Sequence, residues 1–183
     1  KLKNNKIVVI TGPNAGGKSI TLKTIGLLQI MAQSGLLIPV GKGSKIPWFN
    51  KILSDIGDNQ SIENQLSTYS YKLKRMRLFL DEADSRSLLL LDEFGTGSDP
   101  DLGGALAEVF FEELYAKGSF GVITTHYSNI KLRAAELPEA LNASMLFDTE
   151  TLEPRFTLSI GQPGSSFTFE VAQMNGIPPE IIA

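Results

Sequence analysis

Lys6-Ile7-Val8-Val9-Ile10-Thr11-Gly12-Pro13-Asn14-Ala15-Gly16-Gly17-Lys18-Ser19 is the stretch on which the reading of this chain turns. Residues 6–10 form a short apolar, β-branched run bounded by Gly12 and Pro13, as a buried strand requires. Residues 12–19 then match G-x-x-x-x-G-K-[ST], and from Lys18 to about residue 34 the apolar period becomes helical. A strand, a glycine-rich turn and a helix start in that order read as an anion cradle. Glycines let backbone N–H groups converge on a phosphate without Cβ clashes, and the helix N-terminus adds partial positive charge.

Outward from that stretch, strand and helix signals alternate. The helix from Lys18 has apolar residues most of the way round (Ile20, Leu22, Ile25, Leu27, Leu28, Ile30, Met31), which predicts burial on more than one side; Gly35 is placed to cap its end. Residues 36–49, broken by Pro39, Gly41, Gly43 and Pro47, read as short strands and turns, and residues 51–56 as another strand. Leu66, Tyr69, Leu73, Met76, Leu80 and Ala83 recur at intervals of 3 and 4 and predict a helix with one apolar stripe. Lys72, Lys74, Arg75 and Arg77 fall mostly off that stripe and read as a solvated face. Residues 88–91 predict a second apolar strand, 102–114 an amphipathic helix stopping at Gly118, and 120–124 a third strand. Residues 143–147 and 155–160 suggest a late antiparallel pair, followed by a helix near 167–174. Such alternation implies an α/β fold: a mostly parallel sheet covered by helices on both faces.

The 183 residues are the size of one domain, and 42% hydrophobic with 20% charged residues excludes wholesale disorder. Seventeen basic against twenty acidic residues, with a pI near 5.2, argue against a protein that coats duplex nucleic acid. There is no Cys and a single His, so neither a disulfide framework nor an all-protein zinc site is expected. No apolar run approaches the ~20 residues of a membrane span, and no leader pattern precedes the first strand, so the expected compartment is the cytoplasm. The chain opens without Met and stops shortly after two prolines, and it reads as one domain cut from something longer.

Candidate chemistry lies at the ends of the apolar strands, where open α/β sheets bind ligands. The nucleotide-binding candidates are Gly12, Pro13, Asn14, Ala15, Gly16, Gly17, Lys18, Ser19 and Ile20. Lys18 is placed to reach β- and γ-phosphate oxygens, and the Ser19 hydroxyl to ligate Mg²⁺. Asp92-Glu93 ends the strand at 88–91. Asp92 suits a direct or water-mediated hold on Mg²⁺, and Glu93 a general base for the attacking water. His126 follows the strand at 120–124 and is a candidate γ-phosphate sensor; Asn14 is either a water-positioning residue or a turn former. Ser67, just ahead of the striped helix, combines a hydroxyl with a helix N-terminus, an anion site or an N-cap.

These residues carry a family resemblance. Residues 12–19, Leu91-Asp92-Glu93-Phe94-Gly95-Thr96-Gly97-Ser98 and Thr124-Thr125-His126-Tyr127 resemble the ATPase domain of the MutS family, within the ABC-type ATPases, and Ser67-Thr68-Tyr69 is similar to its signature-loop Ser-Thr-aromatic. Thr21-Leu-Lys-Thr24, Asp55-Ile-Gly-Asp58, Asn142-Ala-Ser-Met145 and Gly161-Gln-Pro-Gly164 are similar to the bacterial branch of that family that typically carries a C-terminal Smr endonuclease domain. The resemblance runs over essentially the whole chain.

It implies a P-loop NTPase fold of ABC/MutS type that uses ATP and Mg²⁺. It further implies a homodimer in which two domains pack head to tail, with Ser67 and Thr68 acting in trans and Ser98 and Asp99 crossing the interface. Gln60, where mismatch-repair members have paired acids, is the candidate metal- and γ-phosphate-sensing Gln. The implied function is an ATP-hydrolysing motor that moves attached nucleic-acid-binding and nuclease domains. Its substrates would be branched DNA, in suppression of homologous recombination, or stalled and collided ribosomes through rRNA. Nuclease activity would lie outside this chain. Two rivals stay open: a non-hydrolytic nucleotide-gated dimerisation switch, and an ABC transporter cassette, for which an LSGGQ-like stretch is expected where Gln65-Leu-Ser-Thr-Tyr69 stands.

Overall fold

A computed structural model describes residues 5–12, 16–57, 65–96, 100–148, 151 and 153–161, without the side chains of 65–69 and 100–102. Pro13, Asn14, Ala15, Gln60, Ser98, Asp99 and the helix expected near 167–174 lie outside the described residues, as do the side chains of Ser67 and Thr68.

Ten elements follow one another: β1 (Ile7–Thr11), α1 (Lys18–Gln33), β2 (Lys51–Asp55), α2 (Gln65–Glu82), β3 (Ser87–Leu91), α3 (Pro100–Ala116), β4 (Phe120–Thr124), α4 (Ser128–Glu136), β5 (Ala140–Phe147) and β6 (Pro154–Ile160). They build a six-stranded sheet in the order β2-β3-β4-β1-β5-β6. Every pairing is parallel except β5 with β6, so the mixed α/β architecture with a late antiparallel pair is as expected.

Crossover handedness accounts for the layers. The connection from β1 to β2 runs to one edge of the sheet, whereas those from β2, β3 and β4 run back the other way. Right-handed crossovers therefore put α1 on one face and α2, α3 and α4 on the other. Strand alternation matches: Leu88, Leu90, Ile10 and Val122 pack with Leu22 of α1, while Leu89, Leu91, Val9 and Ile123 pack with Phe79 of α2, Phe111 of α3 and Ile130 of α4.

Helix α1 ends as its sequence suggests. Gly35 sits at φ 76°, and the Gly35 and Leu36 amides donate to the Ala32 and Met31 carbonyls, a Schellman closure. Its burial differs from expectation. Leu22, Gly26 and Gln29 face the sheet, with Gly26 so close that a Cβ would meet Leu90 Cδ1 at 2.7 Å. Ile20, Leu27 and Ile30 remain 53–59% exposed, so the helix is buried on one side only, because a single sheet face is all it packs against.

Residues 36–49 form no strand. Their prolines lack donors, and side chains satisfy part of this backbone instead: Gln29 donates to the Pro47 carbonyl, and Gln33 both donates to and accepts from the Phe49 backbone. Helix α2 begins at Gln65, so Ser67 lies inside its first turn and not ahead of it. Its buried stripe includes Phe79, and two of its basic residues turn inward. The Lys72 ammonium meets Thr96; Arg75 lies over the Phe79 ring and donates to the Ser54 carbonyl beside Asp55. Only Lys74 and Arg77 conform to a solvated face. Helix α4 was not legible in the sequence. Its apolar contribution to the core is Ile130 and Ala134, too short a stripe to stand out.

Candidate functional site

The strand order creates the site. Strand β1 and its neighbour β4 send their following helices to opposite faces, so the sheet has a topological switch point between them, the place at the carboxyl edge where open α/β sheets take ligands. Gly12 leaves β1 at this edge, residues 125–127 leave β4, and Asp92-Glu93 leaves β3 next door. Register puts Thr124 level with Ile10 on one side and just beyond the Leu91–Ile123 pair on the other. The acidic pair and the glycine segment thus stand at one height, separated by a single strand.

Threonine hydroxyls from β4 hold the acids. Thr124 Oγ1 donates to Asp92 Oδ1 at 2.6 Å and accepts the Glu93 amide at 2.8 Å, while the Thr124 carbonyl accepts the Phe94 amide at 2.8 Å. Asp92 is tied on its other side, its amide donating to the Asp55 carbonyl at 2.8 Å. Glu93 adopts φ 47°, left-handed backbone that costs a non-glycine residue about 1–3 kcal/mol and persists only where the surroundings over-determine it. Two residues on, Gly95 at φ 86° allows the chain to pass between α3 and Tyr127. A Cβ there would stand 2.5 Å from Ala107 Cβ and 2.9 Å from Tyr127 Cε2.

On the side of the glycine segment, Gly12 at φ 128° and Gly17 at φ 92° make the turns that a side chain would resist. Gly17 is packed under Phe156 of β6 and Met145 of β5. Lys18 is 3% exposed, with Nζ donating to the Gly12 carbonyl at 2.7 Å across the ends of the loop. Burial pulls the Lys18 pKa down, and Glu93 and then Asp92 push it back up, so both carboxylates lie within electrostatic reach of this ammonium. His126 opens to solvent on one side, yet desolvation by the crevice, with Lys18 next in weight, holds its pKa below the ordinary 6.5. Lys131 of α4 adds positive potential at both groups.

Because His126 is the only histidine, its titration is directly readable. A single imidazole resonance is expected to titrate with a midpoint below 6.5, because burial and then Lys18 disfavour its proton. The unfolded chain takes up this proton first as pH falls, so stability should decline below pH ~6.5 through this group and not above it. A midpoint at or above 6.5 by NMR would contradict this electrostatic picture.

The structure therefore brings together Gly12, Gly16, Gly17, Lys18, Asp92, Glu93 and His126. Ser19 and Ile20 occupy the first turn of α1 with exposed side chains. Sequence reasoning missed Thr124 as the clamp on both acids, and Lys131; the available signal was a pair of threonines ending an apolar strand. Among the described residues no cluster of three or more acidic or histidine side chains is ready to hold a metal alone. Ser19 and Asp92 nevertheless offer the hard oxygen donors that Mg²⁺ takes when phosphates and water complete its shell. No helix among the described residues is long and apolar enough to cross a membrane.

Comparison with known proteins matches residues 8–183 to the family model "MutS domain V". Endonuclease MutS2 of Lactiplantibacillus plantarum is 51% identical over 175 residues, and those of Thermomicrobium roseum and Clostridium botulinum are each 49% identical over 178 and 175 residues. These alignments cover 96–97% of this chain but 22% of each relative, so the chain spans a little over a fifth of the length of the curated relatives it matches. Because the family model spans residues 8–183, the chain belongs to the MutS domain V family.

Proposed function

We propose that residues 1–183 form one ATPase domain of a longer protein, binding Mg-ATP at the β1/β4 crevice and hydrolysing it. The observation that carries this reading is the acidic pair held by Thr124 at the same edge as the glycine segment, close enough for both carboxylates to act on Lys18. Residues 12–17, including Asn14 and its neighbours Pro13 and Ala15, wrap the triphosphate, and Lys18 neutralises its β- and γ-oxygens. Ser19, Asp92 and Gln60 would hold Mg²⁺, which when bound would neutralise further charge on the phosphates. Glu93 orients and deprotonates the attacking water, and neutral His126 hydrogen-bonds the γ-phosphate. The protein's part is positioning and electrostatics, which suits phosphoryl transfer to water.

The relatives' name, endonuclease, supports a motor that serves a nuclease located elsewhere in the polypeptide. In this reading two domains close head to tail on ATP, with Ser67 and Thr68 completing the partner's site and Ser98 and Asp99 along the contact. The cargo is branched DNA or a stalled ribosome, gripped by parts outside this chain in the cytoplasm.

The test is phosphate release by the full-length protein at saturating Mg-ATP, with chelator and with Ser67→Arg. Turnover is expected to need Mg²⁺, and Ser67→Arg to abolish both turnover and ATP-dependent dimerisation measured by sedimentation. Full activity of Ser67→Arg as a monomer would defeat the composite site. ATP-dependent dimerisation with no turnover would leave the nucleotide-gated switch instead.

A further inference from the structure

We infer that Lys72 of α2 is a positioning residue for Glu93, acting through the Thr96 hydroxyl. The inference rests on the reading of Glu93 as general base. Lys72 Nζ donates to Thr96 Oγ1 at 2.7 Å, and Thr96 Oγ1 donates to the Glu93 carbonyl at 2.8 Å, a carbonyl that also receives the Thr96 amide at 3.1 Å. An ammonium has donors only, so it occupies a lone pair of the hydroxyl and leaves the Thr96 proton to point at Glu93. A hydroxyl without that neighbour is free to rotate away.

Glu93 needs this hold because its backbone is in left-handed conformation. Its amide is pinned by Thr124 of β4 and its carbonyl by Thr96, so the backbone that carries the carboxylate is held by hydroxyls on both sides. Arg75, one turn along, fastens the same helix to the Ser54 carbonyl and Asp55, and Asp55 accepts the Asp92 amide. Lys72, Met76 and Asp55 line one narrow cleft with Glu93 and Gly95, so α2 abuts the acidic turn directly. Since α2 begins at Gln65 and carries Ser67 in its first turn, a displacement at that end is transmitted over little more than one turn to the base.

The experiment measures steady-state ATP hydrolysis and urea unfolding of the full-length protein carrying Lys72→Met, Thr96→Val, Thr96→Ser, the double variant Lys72→Met/Thr96→Val, and Glu93→Gln. Misplacing a catalytic group by about 1 Å costs up to about a hundredfold. Lys72→Met and Thr96→Val are therefore each expected to lower kcat by about tenfold or more, with KM for ATP and the unfolding midpoint close to the parent. Thr96→Ser, which keeps the hydroxyl, should retain activity, and the double variant should be no worse than the poorer single one. A kcat within about twofold of the parent for both single variants, additive losses, or a Thr96→Ser defect equal to that of Thr96→Val overturns the relay. Should Lys72→Met fail to fold, the Thr96→Val and Thr96→Ser pair decides alone. Loss of turnover in Glu93→Gln with normal Lys72 and Thr96 variants removes this inference only; parental turnover in Glu93→Gln removes the reading of the base itself.

Discussion

Glu93→Gln is expected to lower ATP turnover by about 10²–10⁴-fold, the usual contribution of a positioned general base, while leaving ATP affinity nearly unchanged. Gln matches Glu in shape, and the groups that set the local backbone do not involve the carboxylate. The Glu93 amide goes to Thr124 and its carbonyl to Thr96. The amide side chain therefore inherits the position and loses the basicity. Lys18 also loses one of the two carboxylates that support its charge, which lowers its pKa further in the nucleotide-free protein. If closure precedes hydrolysis, the variant should accumulate as an ATP-bound dimer in the full-length protein. Phosphate release and sedimentation velocity together check it. Parental turnover would mean that another group activates the water.

The second large effect is expected from Lys18→Met. Hydrogen bonds to charged groups contribute about 1.5–3 kcal/mol each, so losing the ammonium should weaken ATP binding by at least about tenfold and reduce turnover more steeply, because charge on the γ-phosphoryl group and leaving oxygen grows in the transition state. The fold should tolerate the change. Burial is the leading cause of the depressed Lys18 pKa, and a folded state that disfavours this proton is less stable below the unfolded lysine value than it would be with a neutral side chain. Met keeps most of the buried alkyl volume without that desolvation cost. The expected signature is lost binding by calorimetry with an unfolding free energy equal to or above the parent's. Binding lost together with stability would instead point to the Nζ–Gly12 contact as a structural tie.

Local signals carried much of this protein's design. The strand, glycine turn and helix at the start, the acidic pair after four leucines and the histidine after two threonines were legible because each depends on residues adjacent in the chain. The glycines require positive φ where glycines stand, and Gly35 closes α1 where the helical period stops. What the linear chain left open were properties of neighbours distant in sequence. Outer residues Ile20, Leu27 and Ile30 look like core by hydrophobicity, and only the number of layers decides that nothing among the described residues covers them. Lys72 and Arg75 look solvated by composition, yet the placement of α2 beside the β2 and β3 ends turns them inward.

By itself, then, the sequence determined most of the element types, the glycine segment after β1 and the acidic pair after β3, since propensity, turn chemistry and motif spacing are local interactions. Tertiary structure alone decided that β4 lies between β1 and β3, which sets Thr124 against both acids and brings Lys18 within reach of them. Strand order depends on crossover direction and on burial of both sheet faces, and those free energies are spread over contacts that no short stretch of residues contains.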